Sequence, residues 1–280
     1  MRKVVIVTDS TATVPRDLIQ ELDIRIVPVP LSFDNQTFRD GVDITPAEIY
    51  RRLRNGKRIP TTAAPSAGDF LQVFRTAGQE ASGIVSIHMS PDLSTTHNVA
   101  MAASQMVDDV PIRVFNCRAV AMGQGFVVLE AARAAASGAT LDEVVGRAEE
   151  VASKVNLFFT LDTFEYLYRG GRIGGAATLM GTALQIKPVL CFNDGQVEVF
   201  AKPRTRRRAI GLVLREMTER IGRNPIHVAV FHADVPEEAE DLRQRVAERF
   251  NCVELYVTEF TPVMGIHTGP GVLGVVFYPE

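Results

Sequence analysis

Three stretches of this chain are crowded with hydroxyls: Thr8-Asp9-Ser10-Thr11, Pro60 to Ser66, and Ser90 to Asn98. Each belongs to a loop at a strand end, where open α/β sheets hold their ligands. Hydroxyls beside the N–H groups of a helix start suit a carboxylate or a phosphate. The same residues also suit a plainer duty, because Ser66 and Ser94 stand where each would simply cap a helix. Gly265-Ile266-His267-Thr268-Gly269-Pro270-Gly271 is the most unusual segment. Its glycines let backbone come close to a ligand, and His267 and Thr268 can donate hydrogen bonds to an oxyanion. The alternative is a glycine-rich turn with His267 in solvent. Arg172, between Gly171 and Gly174, is placed to approach an anion in a similar way.

Lys202, Arg204, Arg206, Arg207 and Arg208 form a run of cations at a helix start. Positive charge there opposes the helix dipole by about 0.3–1 kcal/mol per exposed charge. The run reads either as a solvated face or as a docking surface for an anionic partner. Asp9 has the chemistry of an acid, a base or a metal ligand. No second carboxylate or histidine follows it at a metal-site spacing, and the sequence holds no HExxH, P-loop or GxSxG pattern. No catalytic and no metal-binding residue is therefore assigned. Gly123-x-Gly125 lacks the third glycine of a dinucleotide fingerprint. His88, His97, His227 and His232 are scattered and read as surface or packing residues.

These residues are carried by a chain of 280 residues, of which 46% are hydrophobic and 22% charged, the balance of a soluble globular protein with two domains. A net charge of −3 gives no global basic field for nucleic acid. No apolar run approaches the roughly 20 residues needed to cross a bilayer. Met1-Arg2-Lys3 leads straight into the strand-like Val4 to Val7, too short for a leader-peptide core, so a cytoplasmic location is expected. Cys117, Cys191 and Cys252 lie far apart without a CxxC spacing and read as small buried hydrophobes rather than as a disulfide or zinc framework.

Strand and helix signals alternate through the first half. Val4 to Val7, Ile84 to Met89 and Ile112 to Phe115 read as strands. Ile24 to Phe38, interrupted by Pro28 and Pro30 and turning at Asp34-Asn35, reads as an edge hairpin. Thr45-Pro46 opens a helix, and Ser66 and Ser94 cap two more, the latter with Val99, Ala102, Ala103 and Met106 on one face. Thr140 with Glu143 forms a capping box. Beyond Phe158 come a glycine-rich stretch and a hairpin turning at Asn193-Asp194-Gly195. A basic helix follows from Thr205, then strands at His227 to Phe231, Cys252 to Val257 and Val272 to Phe277. The expected architecture is α/β and two-lobed: residues 1–157 with a mostly parallel sheet covered on both faces, and residues 158–280 as a smaller mixed domain.

Taken together, Thr8 to Thr11, Thr62 to Ser66, Leu93 to Thr96, Leu161 to Gly174 (LDTFEYLYRGGRIG), Leu184 to Leu190 (LQIKPVL) and His267 to Gly274 (HTGPGVLG) resemble the DegV family of bacterial fatty-acid-binding proteins, which includes the binding subunits of fatty acid kinase. The combination of GGRIG, IKP and HTGPG in this order carries the resemblance. It implies a palmitate-like fatty acid held between the domains, with no other cofactor. Its carboxylate would meet Thr62 and Ser94, with His267 and Arg172 close by. It also implies a role in lipid transport and fatty acid metabolism, the bound carboxylate being phosphorylated by a separate ATP-using subunit. Three departures stand out: Ala63 in place of a serine, Thr95 in place of a glycine, and Asn116-Cys117 where an Asp-Ser step is usual. Two other readings remain open on the residues alone. One is a phosphoryl- or acyl-transfer enzyme using Asp9, His267 and Arg172; the other is an interaction protein that docks an acidic partner on its arginine helix.

Overall fold

A computed structural model describes residues 3–55 and 60–280, with the backbone alone for residues 180–185. Met1 and Arg2, with which the reading against a leader begins, and the side chains of Leu184 and Gln185 in the LQIKPVL segment lie outside the described residues. The chain divides into two units, Met1–Asp43 with Thr62–Ser153, and Ile44–Thr61 with Lys154–Glu280. One crossing near residue 157 was expected. The chain instead crosses after Asp43, after Thr61 and after Ser153, and a segment from its first half folds with the second unit.

In the first unit, β1 (Val4–Asp9), β2 (Arg25–Val27), β6 (Gly83–His88) and β7 (Ile112–Asn116) form a parallel sheet in the order β2-β1-β6-β7. β1 and β6 are buried along their whole length, as unbroken apolar runs in a doubly covered sheet must be. The helix α3 (Ala67–Gly78) brings Phe70 and Phe74, and α4 (Thr96–Ser104) brings Ala100 and Ala103, onto Val5, Val7 and Ile84. The face of α4 differs from the expected one. Ala102 is exposed and Met106 is 58% exposed, and the buried residues are Thr96, Ala100 and Ala103. The helix α5 (Met122–Ala136) packs on β1 and β6 from the side to which Thr8 points. The short α1 (Arg16–Glu21) leads into β2, and α6 (Leu141–Lys154) closes the unit. Two local signals act as expected. Ser66 with Asp69 caps α3 reciprocally, at 2.8 and 3.2 Å, and Thr140 with Glu143 caps α6, at 2.7 and 3.4 Å.

The expected edge hairpin separates into two pieces. β2 is the edge strand of the parallel sheet, while β3 (Pro30–Phe33) and β4 (Gln36–Arg39) pair through a turn in which Asp34 and Asn35 both have positive φ. β3 is the middle strand of a small sheet, β4-β3-β5, with β5 at Thr61–Thr62. Proline is tolerated there because Pro30 is the first residue of its strand, where no ladder donor is needed.

The second unit holds α2 (Pro46–Asn55) and a six-stranded mixed sheet in the order β10-β9-β8-β13-β11-β12. Its strands are β8 (Asn156–Thr160), β9 (Val189–Asn193), β10 (Gln196–Ala201), β11 (Ile226–His232), β12 (Cys252–Glu259) and β13 (Leu273–Pro279). Only β11 and β12 run parallel. The helices α8 (Arg206–Ile221) and α9 (Pro236–Ala247) bury Val213, Leu214, Met217 and Leu242 on Val228, Val230, Val275 and Phe277. Two short helices complete the unit, α7 (Glu165–Arg169) and α10 (Pro262–Thr268). No helix among the described residues is long and apolar enough to cross a membrane.

Candidate functional site

Two of the three hydroxyl loops leave neighbouring parallel strands at the same end of one sheet: Ser10–Thr11 after β1 and Ser90–Thr96 after β6. The third, around Thr62, belongs to the small sheet, so the three do not share one sheet edge as expected. A hydrogen-bond path nevertheless ties it to the first. The Ser10 hydroxyl accepts the Val29 N–H at 3.1 Å, and the carbonyl of the next residue, Pro30, accepts the Ala63 N–H at 3.1 Å. The small sheet therefore hangs from the carboxyl end of β1, with Thr62 half-buried beside that bond. Ser94, also half-buried, stands two residues before the first residue of α4. Its hydroxyl accepts the Thr96 N–H at 3.3 Å and shares a 2.8 Å hydrogen bond with the Thr96 hydroxyl. It thus serves the helix start, though Thr95 occupies the cap position without a side-chain bond.

Asp9 is not available to a ligand. It is 0% exposed, and both its oxygens are taken. One accepts the Thr11 N–H at 3.0 Å and the Thr11 hydroxyl; the other meets His88 Nδ1 at 2.7 Å and the Gln124 amide at 3.1 Å. His88 Nε2 in turn meets the Ser86 hydroxyl at 2.7 Å. Burial by itself would raise the Asp9 pKa, but the His88 bond and charge and the Thr11 donors hold it below the usual carboxylate range. The order Ser86–His88–Asp9 imitates a nucleophile–base–orienter chain, yet Ser86 and His88 are also 0% exposed, and Phe70 closes edge-on over His88 with centroids 5.2 Å apart. No substrate atom can reach it. Its work is structural: it joins β1, β6 and α5, with Gln124 also donating to the Thr8 hydroxyl at 2.9 Å. His88 is therefore more than a packing residue, and Gln124 was missed because no local spacing links it to Asp9. Cys117, buried at the end of β7, has its thiol pushed up to about 12 by burial, which keeps it protonated and inert.

In the second unit the glycine motifs interlock. The turn after α7 carries Gly170, Gly171 and Arg172, and α10 carries His267 in its last turn. The His267 ring lies against Gly170, where a Cβ would stand 2.6 Å from Nδ1. Gly269, with φ at +74°, ends α10 where a Cβ would fall 2.2 Å from the Tyr166 ring. The segment is thus the end of a helix rather than the alternative of a glycine-rich turn, and His267 is largely enclosed rather than in solvent. Its pKa falls to about 4, first through burial and then through the charge of Arg172. Near neutral pH it is an uncharged imidazole, able to donate one hydrogen bond beside a guanidinium. Arg172 Nη1 itself donates to the Gly170 carbonyl at 2.5 Å. The structure thus brings His267 and Arg172 together.

The LDTF, IKP and HTGPG segments also meet. Lys187 Nζ reaches Asp162 Oδ1 at 2.8 Å, and Arg206 lies 3.7 Å from the same oxygen while donating to the Gly271 carbonyl at 2.6 Å. Arg206 bonds Glu238 as well, at 2.6 Å, and its side chain is 18% exposed. This corrects the cationic cluster, because Arg206 is an internal tie. Lys202, Arg204, Arg207 and Arg208 remain exposed. With Arg215 one turn or more along α8, Lys202, Arg207 and Arg208 line an open groove of about 800 Å³ whose lining has no acidic residue. Among the other histidines, His227 is buried, bonded to Glu254 at 2.8 Å and stacked on Tyr278, and His232 is buried at the end of β11.

The family model described as "Uncharacterised protein, DegV family" matches residues 3–280. A DegV domain-containing protein of Streptomyces coelicolor is 38% identical over 98% of each chain. Among solved structures, a DegV family protein of Thermus thermophilus, described by its fatty acid binding, is 35% identical with a TM-score of 0.95, covering 99% of this chain and 100% of that one. Bacillus subtilis DegV, described as a fatty acid binding protein, is 29% identical with a TM-score of 0.93 over the whole of both chains. A stearic acid-binding protein of Eubacterium ventriosum is 27% identical with a TM-score of 0.90, covering 100% of this chain and 98% of that one.

Proposed function

The chain belongs to the DegV family, and from that premise we propose that it binds one long-chain fatty acid and presents the carboxylate to a separate fatty acid kinase subunit. The observation that carries the reading is the likeness to the Thermus thermophilus protein, described by its fatty acid binding. The donors offered to the carboxylate are the hydroxyls of Thr62 and Ser94 on the first unit and, on the second, the His267 imidazole and the Arg172 guanidinium. A neutral imidazole and a guanidinium side by side suit a carboxylate, offering hydrogen bonds and one compensating charge. Affinity comes from the tail. Each buried methylene contributes about 0.8 kcal/mol, so some fifteen offer roughly 12 kcal/mol before the cost of association. The head group has only to be satisfied where it lies.

The chain does no group transfer of its own in this reading. Asp9, the acid of the enzyme alternative, is fully enclosed and already bonded, which supports a carrier. The kinase docks through charge, on exposed Lys202, Arg204, Arg207 and Arg208, extended by Arg215 and without Arg206.

Thr62→Ala and Ser94→Ala test the head-group assignment. Loss of a hydrogen bond to a charged group costs about 1.5–3 kcal/mol, or roughly 10- to 150-fold in palmitate affinity. Isothermal titration with palmitate on each folded variant reads this directly. Affinity unchanged in both would remove the assignment.

A further inference from the structure

The helix α2 comes from the first half of the chain but folds with the second unit, where it packs on α10. Tyr50 carries that contact and is 1% exposed. A Cβ placed on Gly265, in the middle of α10, would stand 2.7 Å from Tyr50 Cε1 and 3.0 Å from its Oη. The ring is therefore seated directly on bare helix backbone. Its hydroxyl donates to the Phe260 carbonyl at 3.3 Å, one residue before the Thr261 cap of α10. One side chain thus holds α10 both at its entry and at mid-length. Ile49 and Leu53 bury the same face of α2, and Arg54 pairs with Asp234 at the end of β11.

The helix α10 has only seven residues. A helix this short does not hold its place through its own hydrogen bonds and depends on what packs against it. His267 lies two residues beyond Gly265, between the Tyr50 contact and the Tyr166 contact at Gly269, with its ring on Gly170. We propose that Tyr50 is a positioning residue for His267, acting through α10. The helix α2 is thereby part of the head-group apparatus, although its sequence lies over 200 residues from the HTGPG segment. The functional meaning of this role rests on His267 being a head-group donor; the positioning itself does not.

Replacing Tyr50 with leucine empties the seat beside Gly265, and Gly265→Ala pushes α10 away from the ring. Either change lifts the His267 imidazole from its enclosed place and lets water reach it. The test is an NMR titration of His267, its resonance assigned with His267→Gln, in wild type, Tyr50→Leu and Gly265→Ala, with palmitate affinity measured on the same samples. The expected result is an apparent His267 pKa raised by about one unit or more toward its ordinary value, with palmitate bound roughly tenfold more weakly. Tyr50→Phe keeps the ring and is expected to leave the titration close to that of wild type. A His267 titration unmoved in the folded variants would overturn the proposal, and if Tyr50→Leu does not fold, Gly265→Ala decides. If the titration moves and palmitate affinity does not, the positioning stands and the head-group role of His267 falls.

Discussion

Asp9→Ala is expected to lower folding stability by about 3–5 kcal/mol, the cost of removing one partner of a buried charge-bearing pair. His88, Thr11 and Gln124 would each lose a partner in a region closed to water. Against a total of about 5–15 kcal/mol for an ordinary domain, this leaves the first unit marginal or unfolded. Ser86→Ala removes a single neutral hydrogen bond and is expected to cost only about 1 kcal/mol. Urea unfolding of the two variants gives the comparison. Assays of simple esters should find turnover at background in wild type, because all three members of the chain are enclosed. An Asp9→Ala protein as stable as wild type, or ester hydrolysis abolished by Ser86→Ala, would contradict the structural role.

His267 is expected to make stability fall as the solution is acidified from pH 7 to pH 4. Its pKa is near 6.5 in the unfolded chain and about 4 in the native one. Between those values the unfolded chain binds a proton that the native protein refuses, so stability is full above the unfolded value and is lost as pH falls toward the native one. A separation of this size corresponds to about 3 kcal/mol. His267→Gln removes the titrating group while keeping a hydrogen-bond donor. The difference in unfolding free energy between pH 7 and pH 4 should then shrink by about that amount relative to wild type. Carboxylates that titrate lower, such as Asp43, held to about 2 by Arg39, contribute equally to both proteins and cancel. Equal slopes in the two proteins would show that the imidazole is open to water.

Local signals were legible in the chain itself. The capping pairs Ser66–Asp69 and Thr140–Glu143, and the Asp34-Asn35 and Asp194-Gly195 turns, depend on residues a few positions apart, and each forms. The helix α5 was missed for a physical reason. Its residues are buried nearly all round, so no polar face creates a period, and Ala121 at its cap position supplies no capping side chain. The helix α10 announces itself by Thr261-Pro262, the same signal read correctly at Thr45-Pro46, but the glycines after it drew attention to a turn. The Asp9–His88 pair spans 79 residues and no spacing rule reaches it. Nor does any local pattern reveal that Ile44–Thr61 folds with the second unit, since α2 has an ordinary amphipathic sequence whichever core receives it. Of the proposed head-group donors, the chemical types of Thr62, Ser94, Arg172 and His267 were readable. The enclosure that neutralises His267 and the bonds that make Arg206 an internal tie were not, because both depend on partners from other elements.

Mass spectrometry of the purified protein, first under native conditions and then after denaturing extraction, tests the fatty-acid reading most directly. With the tail supplying most of the binding energy, dissociation is slow enough for a ligand acquired in the expression host to survive chromatography. The predicted result is close to one saturated or monounsaturated long-chain fatty acid per chain, released only on denaturation. A phosphorylated or polar metabolite at the same stoichiometry, or a chain that arrives empty and ignores added palmitate, would contradict it.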